Sequence, residues 1–197
     1  MKAEDLILIH EDGCETTVYP FLADGGTVHG TVVILHGLAE HHNRYREFTL
    51  FLNSCGYDVY LYDHRGHGTD KKLEELGYIA DSRGWEKLIL DAVDVLSYAS
   101  EKNRGGKLIL FGHSMGSLIA RGATQYSQLA DAAVFCGTTA PSAAQSFSGL
   151  AVTSLVRLFR GKRHISPFLN RALFERRQYR ALSERTSCDW LTRSNAA

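Results

Sequence analysis

Residues 31–35 read Thr-Val-Val-Ile-Leu, a short run of β-branched and aliphatic side chains with no polar alternation. A strand with one wet face alternates apolar and polar residues, whereas an unbroken run suits a strand covered on both faces, as in parallel sheets. Three more runs behave as core strands: 58–62 (DVYLY), 107–111 (KLILF) and 132–136 (AAVFC). Helical spacing fills the gaps. Positions 45–54 bring Phe48, Phe51 and Leu52 together and stop at Gly56; positions 85–99 do the same for Leu88, Ala92, Val95, Leu96 and Ala99. A further helix is predicted over 115–127. This alternation predicts an α/β fold, a mostly parallel sheet with helices on both faces. Ahead of it, 5–10 and 16–21 flank Glu11-Asp12-Gly13 and predict a β-hairpin.

The 197 residues suffice for one domain with a sizeable core. Lys+Arg and Asp+Glu balance at 22 each, so nothing favours a nucleic-acid partner or a strongly charged substrate. Cys14, Cys55, Cys136 and Cys188 are scattered, without metal-ligand or redox spacing. Cys55 and Cys136 sit in apolar contexts and are expected to be buried thiols. The first residues do not read as a signal peptide, and no apolar run approaches the ~20 residues of a membrane span. A reducing, cytoplasmic setting is the expectation.

The chemistry concentrates at 112–116, Gly-His-Ser-Met-Gly, which fits G-x-S-x-G. The string alone is moderately specific, but an apolar strand runs into it and a helix runs out of it. That is the setting of a nucleophile elbow, where flanking glycines allow a tight turn that projects the serine. Ser114 is the candidate nucleophile. Acyl transfer also needs donors aimed at the developing oxyanion. The backbone N–H of Met115, directly after the serine, is one candidate, and Leu38 N–H, in the loop after strand 31–35, is the other.

A third cluster, 62–68, reads Tyr-Asp-His-Arg-Gly-His-Gly. No partner ligands stand at zinc-like spacing. It is expected to be a glycine-punctuated loop pinned by side-chain hydrogen bonds, without a metal. His41 and His42 open a helix and are expected to be solvated or at a rim. The side chain of His113 is expected to point away from the Ser114 hydroxyl.

Three motifs thus stand in order: HGLAEHHNRY at 36–45, YDHRGHG at 62–68 and GHSMGS at 112–117. Together they resemble the monoacylglycerol lipase and lysophospholipase branch of the α/β-hydrolases, also grouped as serine aminopeptidase-like hydrolases. The resemblance implies an α/β-hydrolase core over 1–148, a helical cap over 149–190 covering an acyl-chain pocket, and a return to the core at 191–197. It implies catalytic roles for Ser114, Leu38 and Met115, a small-molecule lipid-like ester as substrate, and no cofactor. Peripheral membrane contact through the cap is a further expectation.

Such enzymes order their triad Ser, then Asp or Glu, then His. Only His164 follows Ser114, in a cap-like stretch with no strand to deliver it over the elbow, and it is not expected to be the base. Asp131 precedes strand 132–136 and belongs at the wrong end of the sheet, because chemistry in such sheets sits at the carboxyl ends of strands. Glu175 and Glu184 lie among arginines, and Asp189 falls at the end of the expected cap. The resemblance implies that the acid and histidine follow two further strands after the cap, and they are expected beyond Ala197 or on a C-terminal fragment supplied in trans. The sequence leaves open a peptidase or thioesterase with the same machinery, and a non-catalytic binding protein with an incomplete triad.

Overall fold

The apolar runs form the centre of a six-stranded sheet. The computed structural model describes residues 3–69, 71–72, 75–140, 142–161, 164 and 166–167. In chain order the elements are β1 (Leu6–Ile9), β2 (Glu15–Phe21), β3 (Gly30–Leu35), α1 (Arg46–Ser54), β4 (Tyr57–Tyr62), α2 (Gly84–Glu101), β5 (Lys107–His113), α3 (Met115–Tyr126), β6 (Ala132–Cys136) and α4 (Ala143–Arg160). A short 3-10 helix, His42–Tyr45, precedes α1. The predicted hairpin is present, with Leu6 opposite Val18 and Ile9 opposite Glu15.

Strand order is β1-β2-β4-β3-β5-β6. The hairpin joins β4 antiparallel; β4, β3, β5 and β6 run parallel. All six residues of β3 are buried, as its unbroken apolar run requires. Val33 and Leu35 face α2 and α3, meeting Leu88, Ala92, Leu96, Ile119 and Ala123. Val32 and Ile34 face the other way, in a cluster with Tyr19, Val59 and Leu61 against which Leu52 of α1 packs. The period-two pleat thus sends alternate residues of one strand into two separate cores.

Among the described residues, β6 pairs on one side only, with β5, and Val134 and Phe135 are exposed. Cys136 and Cys55 are exposed as well, which corrects the expectation of buried thiols. The apolar neighbours that suggested burial in sequence lie on a strand covered on one edge and at the end of α1.

The chain divides into two units, Met1–Thr139 and Ala140–Ala197. In the second unit, α4 starts at Ala143, well before the helical turns expected from position 150, and carries exposed Phe147, Leu150, Leu155, Leu158 and Phe159. Most of the expected cap, 149–190, and all of 191–197 lie outside the described residues, as do Glu175, Glu184, Cys188 and Asp189.

Candidate active site

Strand β5 delivers Ser114 at its carboxyl end, and α3 starts at the next residue. Ser114 has φ 52° and ψ −117°, a left-handed conformation that side chains with a Cβ rarely adopt. Hydrogen bonds hold it there from both directions. Its N–H donates to Cys136 O at 2.9 Å, at the end of β6, and its carbonyl accepts from Ser117 N–H at 3.0 Å and Ser117 Oγ at 2.6 Å. The two motif glycines are sterically required. A Cβ on Gly112 would stand 2.4 Å from Gly116 O, and one on Gly116 would stand 2.2 Å from Leu35 O. Their absence lets the first turn of α3 sit against the ends of β5 and β3.

The loop leaving β3 closes on the same spot. Residues Gly37 to Glu40 form a turn in which Glu40 N–H donates to Gly37 O at 3.3 Å. Ala39 takes φ 61° at the third position, where a type II turn normally places glycine. Gly37 lies between Glu40 and the serine: a Cβ there would meet Glu40 Oε2 at 3.0 Å and Ser114 Cβ at 3.2 Å. Gly37, the residue before Leu38, is thereby placed beside Ser114. Among the described residues, neither Leu38 N–H nor Met115 N–H donates to a protein acceptor. Met115 opens α3, where unsatisfied amides and the helix dipole favour negative charge.

Glu40 is the residue that sequence reasoning missed. Its Oε2 accepts Gly37 N–H at 2.8 Å and Tyr45 OH at 2.8 Å and lies 3.3 Å from His113 Nδ1, while Arg44 reaches Oε1 at 3.0 Å. Burial alone would raise its pKa, but His113, the Gly37 amide, Tyr45 and Arg44 outweigh it and hold the carboxyl down at about 2. The signal lay in the spacing, since a Glu three residues after the amide it caps repeats the geometry of a capping box.

His113 thus leans on Glu40, and no hydrogen bond joins it to Ser114 among the described residues. His42 is buried, contrary to the expected rim position. Its ring stacks on Tyr19 with centroids 3.7 Å apart, and its N–H groups donate to Asp63 at 2.6 and 2.7 Å. Neighbours in sequence suggested solvent, but Asp63 at the end of β4 draws this imidazole inward.

Behind the 37–40 loop, His36, His64 and His67 form a buried cluster. His64 N–H donates to His36 Nε2 at 3.0 Å, so His36 carries its proton on Nδ1 and donates to Gly37 O at 2.8 Å. His64 Nε2–H donates to His36 O at 3.0 Å, and His67 Nδ1–H to Arg65 O at 2.9 Å. Burial holds all three neutral, His64 down at about 3 and the others below the usual imidazole range. The 62–68 segment is the pinned loop expected, and among the described residues no three His, Cys, Asp or Glu side chains are placed to hold a metal. Asp131 binds Lys107 Nζ at 2.6 Å and Leu108 N–H at 2.9 Å, at the amino end of β5 and away from Ser114. His164 is exposed and belongs to the second unit.

The family model of serine aminopeptidase, S33, matches residues 26–197. The chain belongs to this family. It is 36% identical over 91 residues to a putative monoglyceride lipase of Schizosaccharomyces pombe, a match spanning 45% of this chain and 23% of that protein. Human monoglyceride lipase is 32% identical over 95 residues, spanning 48% of this chain and 30% of its own. A lipase solved in its open form superposes with a TM-score of 0.71 over 94% of this chain and 59% of its own, at 23% identity. The fold is that of an α/β-hydrolase. This S33 family chain spans under a third of the curated relatives it matches and about three-fifths of that lipase.

Proposed function

We propose that this chain carries the nucleophile and oxyanion hole of a serine hydrolase that cleaves carboxylic esters of lipid type, monoacylglycerol or lysophospholipid. The observation that carries the reading is Ser114 held at φ 52° where α3 begins, with Gly37 of the loop after β3 against its Cβ and, among the described residues, no protein acceptor for Leu38 N–H or Met115 N–H. Ser114 Oγ would attack the ester carbonyl and pass its proton to a base, while the two amides receive the oxyanion. Collapse expels the alcohol with that proton and leaves an acyl-serine, which water cleaves to the free acid.

The names of the relatives support the lipid ester, and the exposed apolar residues of α4 with Arg157 and Arg160 in its last turn support contact with a lipid surface. Exposed free thiols at Cys55 and Cys136 fit a reducing, cytoplasmic setting. A fluorophosphonate probe tests the reading. Labelling mapped to Ser114 and lost in Ser114→Ala, with release of fatty acid from a monoacylglycerol exceeding release from an aminoacyl amide, is the expected result. Preference for the amide would move the assignment to a peptidase, and no labelling of folded protein to a binding role.

A further inference from the structure

We propose that Glu40 is a positioning residue that fixes the oxyanion loop by gripping Gly37 from both sides. This rests on the hydrolase reading above and concerns a residue to which that reading gives no role. The backbone N–H of Glu40 takes Gly37 O, and its carboxylate takes Gly37 N–H, so the turn closes at both of its polar groups on one residue. Two consequences follow. The Gly37 amide is directed into the protein and is unavailable to substrate, which leaves Leu38 N–H as the loop's donor. The loop is also tied to the elbow, because the same Oε2 that holds Gly37 approaches His113, the residue preceding Ser114.

The arrangement demands a carboxylate. Oε2 is approached by three donors and Oε1 by a fourth, Arg44 Nη1. An amide at this position would have to present its NH2 to one of these two sets of donors and would break it. The left-handed Ala39 adds to the need for a tether, since a strained turn persists only where its surroundings over-determine it. Glu40 touches neither nucleophile nor developing charge in this scheme. Its effect passes through the direction of the Leu38 amide, and so should appear in transition-state binding and not in ground-state binding.

The experiment has two arms on the full chain. In the first, amide exchange is followed by NMR. Gly37 should exchange at least tenfold more slowly than Leu38 in the wild-type chain, and Glu40→Gln should close that gap; equal exchange of the two amides in the wild type overturns the brace, whatever the catalytic outcome. In the second, a dodecyl trifluoromethyl ketone, whose carbonyl becomes an oxyanion when serine adds, is compared with the matching methyl ketone. Glu40→Gln should weaken the first at least tenfold and the second less than twofold. Tyr45→Phe, which removes one donor and keeps the carboxylate, should give an intermediate loss. Equal losses for both ketones, or none, overturn the positioning role. A wild-type chain that binds the methyl ketone but not the trifluoromethyl ketone counts against the hydrolase reading itself, and the exchange arm still decides the brace.

Discussion

At residue 114 the chain keeps a β-carbon where the backbone would prefer none. A left-handed non-glycine residue costs on the order of 1–3 kcal/mol, and here the hydrogen bonds from Ser117 and to Cys136 enforce it. Ser114→Gly should therefore be more stable than Ser114→Ala by about 1 kcal/mol in urea unfolding, although both lose the fluorophosphonate label. Equal midpoints would mean that the elbow is relaxed. Gly116→Ala should be worse than either. Its methyl would meet Leu35 O and His36 O, backbone atoms of the central strand and its exit, and a loss of about 1–3 kcal/mol or more is expected. A folded Gly116→Ala with an unchanged midpoint would contradict the close approach. The strain at 114 was implicit in the G-x-S-x-G string. The part played by Glu40 was legible only in its spacing from Gly37, because its other three side-chain donors, Arg44 and Tyr45 of the 3-10 helix and His113 of β5, depend on how the loop folds back over those elements.

At the scale of elements, ion pairs fasten the hairpin to the rest of the fold. Arg65, in the loop after β4, donates to Asp91 of α2 at 2.5 and 2.7 Å and to Asp12 of the β1–β2 turn at 2.6 and 2.9 Å. Both carboxylates raise its pKa, Asp91 most. His10 joins them, donating to Asp94 at 2.6 Å and bonding Thr16 Oγ1 at 2.8 Å. Arg65→Met strands the buried Asp91 and should cost about 3–5 kcal/mol, whereas Arg65→Met with Asp91→Leu should recover most of it. Urea midpoints of the three proteins check this, and a double variant no better than the single would show that the charge is not what matters. The strands themselves were readable because their side chains commit them: β3 and β4 carry β-branched and aromatic runs that suit a pleated, covered surface. The start of α4 was not. Thr-Thr-Ala-Pro-Ser-Ala-Ala looks loop-like through its small residues, yet alanine is the strongest helix former and the helix begins at Ala143. Nor did sequence show Cys136 exposed, since AAVFC describes what a strand can bury and not what covers it.

For the whole molecule, the buried imidazoles set a pH limit. His36, His64 and His67 remain neutral in the folded chain, and an unfolded histidine gains its proton below ~6.5. Between that value and the lowered folded pKa values the unfolded state binds more protons, so stability falls as the pH falls, by about 1.4 kcal/mol per pH unit for each histidine. Glu40 and Asp63, also held below their usual values, extend the loss at lower pH, below ~4. The melting temperature should already decline between pH 6.5 and 5.5, before carboxylates titrate, and His67→Gln should flatten that part of the curve. A melting temperature constant down to pH 5 would mean that the cluster is not held neutral. The strand order carries a different consequence, one of time. The β1–β2 hairpin is local and can close within microseconds, but β3 lies between β4 and β5, where Gly30 meets Tyr57 on one side and Lys107 on the other. At ribosomal speed the last of these emerges on the order of ten seconds after the first. Through that interval β3 offers an unpaired edge, and the 37–40 loop waits for the strand that brings Ser114 against it.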